Sequence, residues 1–219
     1  MFTHSPENQG WLRNKWQALV TSVQAQPAAS DAVWDELIRH YSEPHRAYHN
    51  LSHVMTLLRH AETHRHQISR METVEFAVWF HDVIYDTHLK DNERRSAEWA
   101  RRAMIAMQID ERHIPLVMAC IAATERHEIA SSQIADLPLF LDFDLAILGT
   151  REEIYRQYSE VIRAEYSWVP LAEYKIARGS FLQRFLERPA LFFTTAMADG
   201  HEHQARMNLE SELRELAQS

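Results

Sequence analysis

Apolar positions recur along the chain at intervals of three and four residues, and this spacing predicts helices throughout. Over residues 7–26, Trp11, Leu12, Leu19 and Val23 fall at helical spacing, and Pro27 closes the segment. Ser30 then caps a short helix reaching residue 41. The stretch SEPHRAYHN, residues 42–50, reads as a loop because Pro44 disfavours helix before it, and Asn50 caps the helix that follows. That helix, 51–67, carries an apolar arc of Leu51, Val54, Met55 and Leu58.

From residue 71 to 85 the pattern changes. Apolar side chains cover nearly the whole circumference, and only Glu75 and Asp82 share a narrow polar strip, which predicts a central, buried helix. Asp91 caps a helix over 92–108, and 114–124 reads as a second buried helix with Pro115 in its first turn. The run LPLFLDFDLAILG could pass for a strand, but its aspartates and its stop at Gly149 also suit a short buried helix. Thr150 to Glu153, TREE, is a capping box that opens a long helix through residue 166. Pro170 starts another, and 198–217 is an amphipathic terminal helix. There is no internal repeat, low-complexity tract or linker, so the expected architecture is one compact all-α domain over residues 1–219.

Composition sharpens this picture. With 219 residues, one sizeable core is the default. Only 4 glycines is fewer than turn-rich β folds usually carry, which favours helices. The net charge of -8 removes any general attraction to long nucleic acid or an anionic membrane surface, while leaving room for a local basic pocket. The single cysteine, Cys120, lies in an apolar stretch and reads as a buried, inert thiol. The first residues lack the basic and apolar regions of a signal peptide, and no apolar run approaches the length that spans a bilayer, so a cytoplasmic location is expected.

The chemistry concentrates where polarity interrupts the apolar runs. FAVWFHDVIYD, residues 76–86, sets His81 beside Asp82 where an isolated charge would cost several kcal/mol. A cation from another helix would balance the carboxylate, and so would a divalent metal, for which imidazole and carboxylate are good ligands. In YHNLSH, residues 48–53, His49 and His53 are four apart at a helix start, so one can ligate while the other meets substrate. FLDFDLAIL buries two further acids, Asp142 and Asp144. His53, His81, Asp82 and Asp144 would together form a mixed N/O site suited to manganese, iron, cobalt or zinc.

The order His … His-Asp … Asp, spread over residues 41–149, resembles the HD superfamily of metal-dependent phosphohydrolases. YHNLSH is similar to a signature of cyclic-nucleotide phosphodiesterases in that superfamily. FHDVIYD, DNERRSA, IAATERH and LDFDLAILG together resemble a bacterial family of predicted HD phosphohydrolases. The resemblance implies a compact multi-helix HD fold with a metal-site core over residues 41–149 and helices 150–219 packing on it. It implies His53, His81, Asp82 and Asp144 as ligands of one or two ions (Mn2+, Mg2+, Fe2+, Co2+, Ni2+ or Zn2+), with Asp82 able to bridge two. It also implies a phosphomonoester or phosphodiester of a nucleotide or related small metabolite as substrate, attacked by a metal-activated hydroxide, with His49 as general acid.

Other residues have two readings each. Arg46, Lys90 and Arg163 are candidate phosphate contacts or surface ion-pair partners, and His127 is a candidate for a second metal or a substrate phosphate, or else a surface histidine. Asp142 suits a supporting or capping role, and Asn92 and Glu93 either stabilise a helix start or assist the site. His60, His64 and His66 lack a carboxylate to complete a cluster. Two alternatives to hydrolysis stand beside the first reading: a dinuclear iron oxygenase drawing on His88, His113 and His127, and a regulatory module that binds metal or nucleotide without turnover. The sequence leaves oligomeric state open, and a homo-oligomer is compatible with it.

Overall fold

Trp79 explains why residues 71–80 are helical and central: it meets Trp16 edge-on at 5.6 Å and Trp34 at 5.9 Å, while Phe76 and Phe80 close on the other sides of Trp16. The computed structural model describes residues 6–129 and 134–218, and the elements among them are all helical, with no strand. The sequence predicts one domain; the contacts gather into two compact units, Met1–Phe140 and Leu141–Ser219.

The first unit holds α1 (Pro6–Ser22), α2 (Pro27–Tyr41), α3 (Leu51–Thr63), α4 (Met71–Phe80), α5 (Asn92–Ala106), α6 (Ile114–Ala123) and the start of α7 (Leu137–Leu145). A 3-10 turn, Arg65–Gln67, follows α3. Helix α4 is the axis, flanked by α1, α3, α5 and α6. Six of its side chains, Val74 and Phe76 to Phe80, are fully buried, and each large one contributes roughly 1.5–3 kcal/mol by leaving water. Cys120 lies in the same core, where burial pushes its thiol up to about 12, as expected for an inert cysteine.

Several boundaries differ from those the sequence predicts, each for a local reason. Gln26 caps α2 through its side-chain oxygen on the Ala29 N–H, so Pro27 opens that helix; Ser30 lies inside it and donates to the Gln26 carbonyl. Asn50 does cap α3, accepting from the Ser52 N–H at 2.8 Å. Asp91 precedes α5 but makes no capping bond, because its carboxylate is taken by Arg94 and Arg95. The central helix stops at Phe80 rather than continuing to residue 85. Beyond it the main chain finds other partners: Arg46 takes the carbonyls of Asp82 and Val83, Ser96 pairs with Ile84, and Asn92 pairs with Asp86.

The second unit continues α7 into a 3-10 turn, Ala146–Gly149, followed by α8 (Glu152–Glu165), α9 (Leu171–Leu186) and α10 (Thr195–Gln218). LPLFLDFDLAILG is therefore helical, as its aspartates suggest. The capping box does not form, since the Thr150 hydroxyl donates back to the Ile147 carbonyl and α8 begins after Arg151. Gly149 matters for space: a Cβ there would lie 2.5 Å from the Cβ of His201, so α10 passes where no side chain fits. Asn208 of α10 donates to the carbonyls of Leu148 and Thr150 and fastens the same turn. Among the described residues no helix is long and apolar enough to cross a membrane.

Candidate metal centre

Three elements bring one side chain each to a common point. His53 is in the first turn of α3, His81 caps the C-terminus of α4, and Asp82 follows in the turn. His53 Nε2 and His81 Nε2 stand 3.0 Å apart, and Asp82 Oδ2 lies 3.1 Å from His81 Nε2 and 3.7 Å from His53 Nε2. Both imidazoles are buried, and the Asp82 side chain keeps 16% exposure, so the group opens to solvent on the carboxylate side.

The tautomer of His81 follows from its other nitrogen. Nδ1 is 2.9 Å from the Val78 carbonyl, which can only accept, so Nδ1 carries a proton. In the neutral ring Nε2 is then a bare lone pair aimed at a carboxylate and a second imidazole. Such donors repel unless a proton or a cation lies among them. Two ligands about 2.1 Å from one ion, set at a right angle, stand about 3.0 Å apart. The 3.0 and 3.1 Å separations suit that arrangement and the 3.7 Å one a wider angle, so His53, His81 and Asp82 could hold a metal ion. Among the described residues no other group of three or more ligating side chains converges in this way.

Burial alone would push the Asp82 carboxyl up. It is outweighed by His81, then His49 and His53, which hold the carboxyl well below the usual carboxylate range. His49 thus belongs to the same electrostatic neighbourhood. It precedes α3, is half-buried, and stacks on Tyr85 with ring centroids 4.2 Å apart, its ring 5.8 Å from that of His53. Tyr48 packs on both imidazoles, at 5.0 Å from His49 and 4.9 Å from His53.

The remaining sequence candidates divide. Arg46, expected to meet phosphate, has a fully buried side chain whose donors go to Glu43 and to main-chain carbonyls, so it is withdrawn from any ligand. Lys90 is exposed. His127 is half-buried with a left-handed backbone, φ 48°. Glu93 is half-buried; burial pushes its carboxyl up, and Asp82 and Glu125 add to the effect while His127 opposes it. His88 pairs with Asp86 at 3.0 Å and His113 Nδ1 meets the Thr73 hydroxyl at 3.3 Å. His60 on α3 and His64, which caps that helix, face each other with ring centroids 6.4 Å apart.

Asp142, Asp144 and Arg163 belong to the second unit. Asp142 accepts from the Phe193 and Thr194 N–H groups and the Thr194 hydroxyl, so it secures the start of α10, the capping role its sequence context suggests. Asp144 lies on α7 within electrostatic reach of Tyr158. Arg163 donates to the carbonyls of Tyr166 and Val169 and covers the Tyr174 ring at 4.7 Å.

Sequence reasoning missed Tyr85 and Ser96. Tyr85 reads as one more apolar position of a long helix, and only the helix's early stop turns it toward His49. Ser96 offers a single hydroxyl on a polar helix, and its pairing with both main-chain groups of Ile84 leaves no trace in spacing. No protein-family model, curated protein or solved structure matches the chain.

Proposed function

We propose that the chain is a metal-dependent phosphohydrolase acting on a phosphomonoester or phosphodiester of a nucleotide or related small metabolite. The observation that carries this reading is the convergence of His53, His81 and Asp82 with the His49 ring beside them. The ordered resemblance to the HD superfamily supports it from the sequence side. A bound divalent ion would activate water near neutral pH and neutralise phosphoryl charge.

The chain's own residues supply the rest. His53 and His81 offer imidazole nitrogens, and the Val78 carbonyl fixes the His81 ring so that its Nε2 faces His53 and Asp82. Asp82 contributes the negative charge that a cation needs. His49, held against Tyr85, would give a proton to the leaving oxygen. Lys90 and His127 remain the candidate phosphate contacts. Asp144 as fourth ligand rests on the resemblance, and the metal content of Asp144→Asn tests it.

A screen of phosphorylated metabolites with manganese, magnesium, cobalt or nickel tests the proposal. Metal-dependent phosphate release is expected, abolished by chelation. Tight metal binding without release of phosphate from any substrate would favour a ligand-binding module instead, and turnover requiring oxygen would favour an oxygenase.

A further inference from the structure

We infer that Arg46 is a positioning residue for this site: its guanidinium fixes the His49 main chain to the Asp82 main chain and backs the Tyr85 ring on which the His49 imidazole rests. Its kinetic consequences rest on the hydrolytic reading above; its spectroscopic consequence rests on geometry alone.

The side chain has no exposure, and its donors point three ways. Nη1 donates to the His49 carbonyl at 3.2 Å and to the Asp82 carbonyl at 2.6 Å, so one nitrogen bridges the two segments. Nη2 donates to the Val83 carbonyl at 3.0 Å, and Nε to Glu43 Oε2 at 2.9 Å. The carboxylate of Glu43 balances the buried charge, as such a cation requires. The guanidinium also lies 5.2 Å from the Tyr41 ring and 5.5 Å from the Tyr85 ring, within cation–π range of both.

This arrangement uses what distinguishes arginine from lysine. A planar fork can meet several fixed acceptors at once, whereas an ammonium is a compact point charge on a flexible stem. A lysine at position 46 keeps the charge and loses the bridge. The metal-binding side chains do not touch Arg46, since its contacts with Asp82 and His49 are through main-chain oxygens. Its loss therefore unties the His49 main chain from the Asp82 main chain without removing a ligand side chain. A displacement of about 1 Å at such a place costs up to about 100-fold in rate.

The test compares Arg46→Lys and Arg46→Gln with the wild-type chain. Cobalt is used as the metal probe, the substrate found in the screen is used for kinetics, and the His49 ring protons, assigned by their loss in His49→Gln, are followed by NMR. The expected result is retained cobalt content, kcat lower by about 10- to 100-fold with KM within about twofold, and loss of the ring-current shift that Tyr85 imposes on His49. A folded Arg46→Lys with wild-type kcat and an unmoved His49 signal overturns the inference. Should both variants fail to fold, Glu43→Gln, which removes the carboxylate that holds the guanidinium while leaving Tyr85 and His49 in place, must lower kcat and move the His49 signal in the same direction; unchanged values there overturn it equally. If the wild-type chain releases phosphate from nothing, the hydrolytic reading fails while the His49 signal still decides the role of Arg46.

Discussion

His53 and His81 bring their Nε2 atoms within 3.0 Å of each other, and the Val78 carbonyl prevents His81 from easing the conflict by moving its proton. Asp82 sharpens the demand for a positive charge at that point. Replacing it removes the only anion of the trio, leaving two facing imidazoles with little reason to hold a cation. Asp82→Ala is expected to fold, to lose its metal on analysis of the purified protein, and to lose phosphate release. Full activity in that variant would sink the proposed site.

His49 is expected to behave differently. It stands beside the trio, not within it, so His49→Ala should retain the metal while kcat falls by about 100- to 10,000-fold, the usual range for a missing general acid. Metal analysis and kinetics on the same preparation separate the outcomes. Loss of metal would make His49 a ligand and leave the proton donor to be found.

The all-helical class and the buried His81–Asp82 pair were legible in the sequence because both depend on short-range order, whereas His53 joins that pair from 28 residues away and was tied to it by the ordered resemblance. Helical spacing reports which positions face a core, and an ionisable pair inside an apolar run reports a cost that something must balance. The end of α4 was hidden for the opposite reason: the chain leaves the helix at Phe80 because Arg46, Asn92 and Ser96, distant in sequence, take the main-chain groups that follow. The same long-range bonding turned Arg46 from an expected phosphate contact into an internal clamp. Gly149 read as a helix stop, whereas its role is to admit α10, and no local pattern records that neighbour.

Glu75 offers a pH-dependent test of the core. Burial pushes its carboxyl up, Lys15 and Arg65 partly oppose this, and Glu72 and Glu62 reinforce it. A carboxyl raised above its unfolded value, about 4.3, binds its proton more tightly in the folded state. The associated stability is fully present below the unfolded value and is lost as pH rises through the folded one. Glu75→Gln, which mimics the protonated form, should therefore melt above the wild type at pH 8, and the two should converge near pH 4. Melting curves that differ by the same amount at both pH values would contradict the assignment.

The second unit rests on a buried ion pair whose loss should be severe. Arg178 on α9 donates to Glu212 on α10 at 2.8 and 3.0 Å, and the Tyr155 hydroxyl of α8 donates to the same carboxylate. Both charged side chains are only 8% exposed, so neither can turn to water if its partner is removed. Glu212→Ala strands the guanidinium and should cost about 3–5 kcal/mol, against about 1 kcal/mol or less for removing Glu36 from its exposed pair with Arg39. The double replacement Arg178→Met with Glu212→Leu tests the cause, because it removes both charges and keeps most of the volume. It should recover much of the loss, although the Tyr155 hydroxyl then lacks its acceptor and retains a penalty of about 1–3 kcal/mol. Chemical denaturation of the four proteins measures these differences, and a double variant no more stable than Glu212→Ala would show that packing, not the stranded charge, sets the cost.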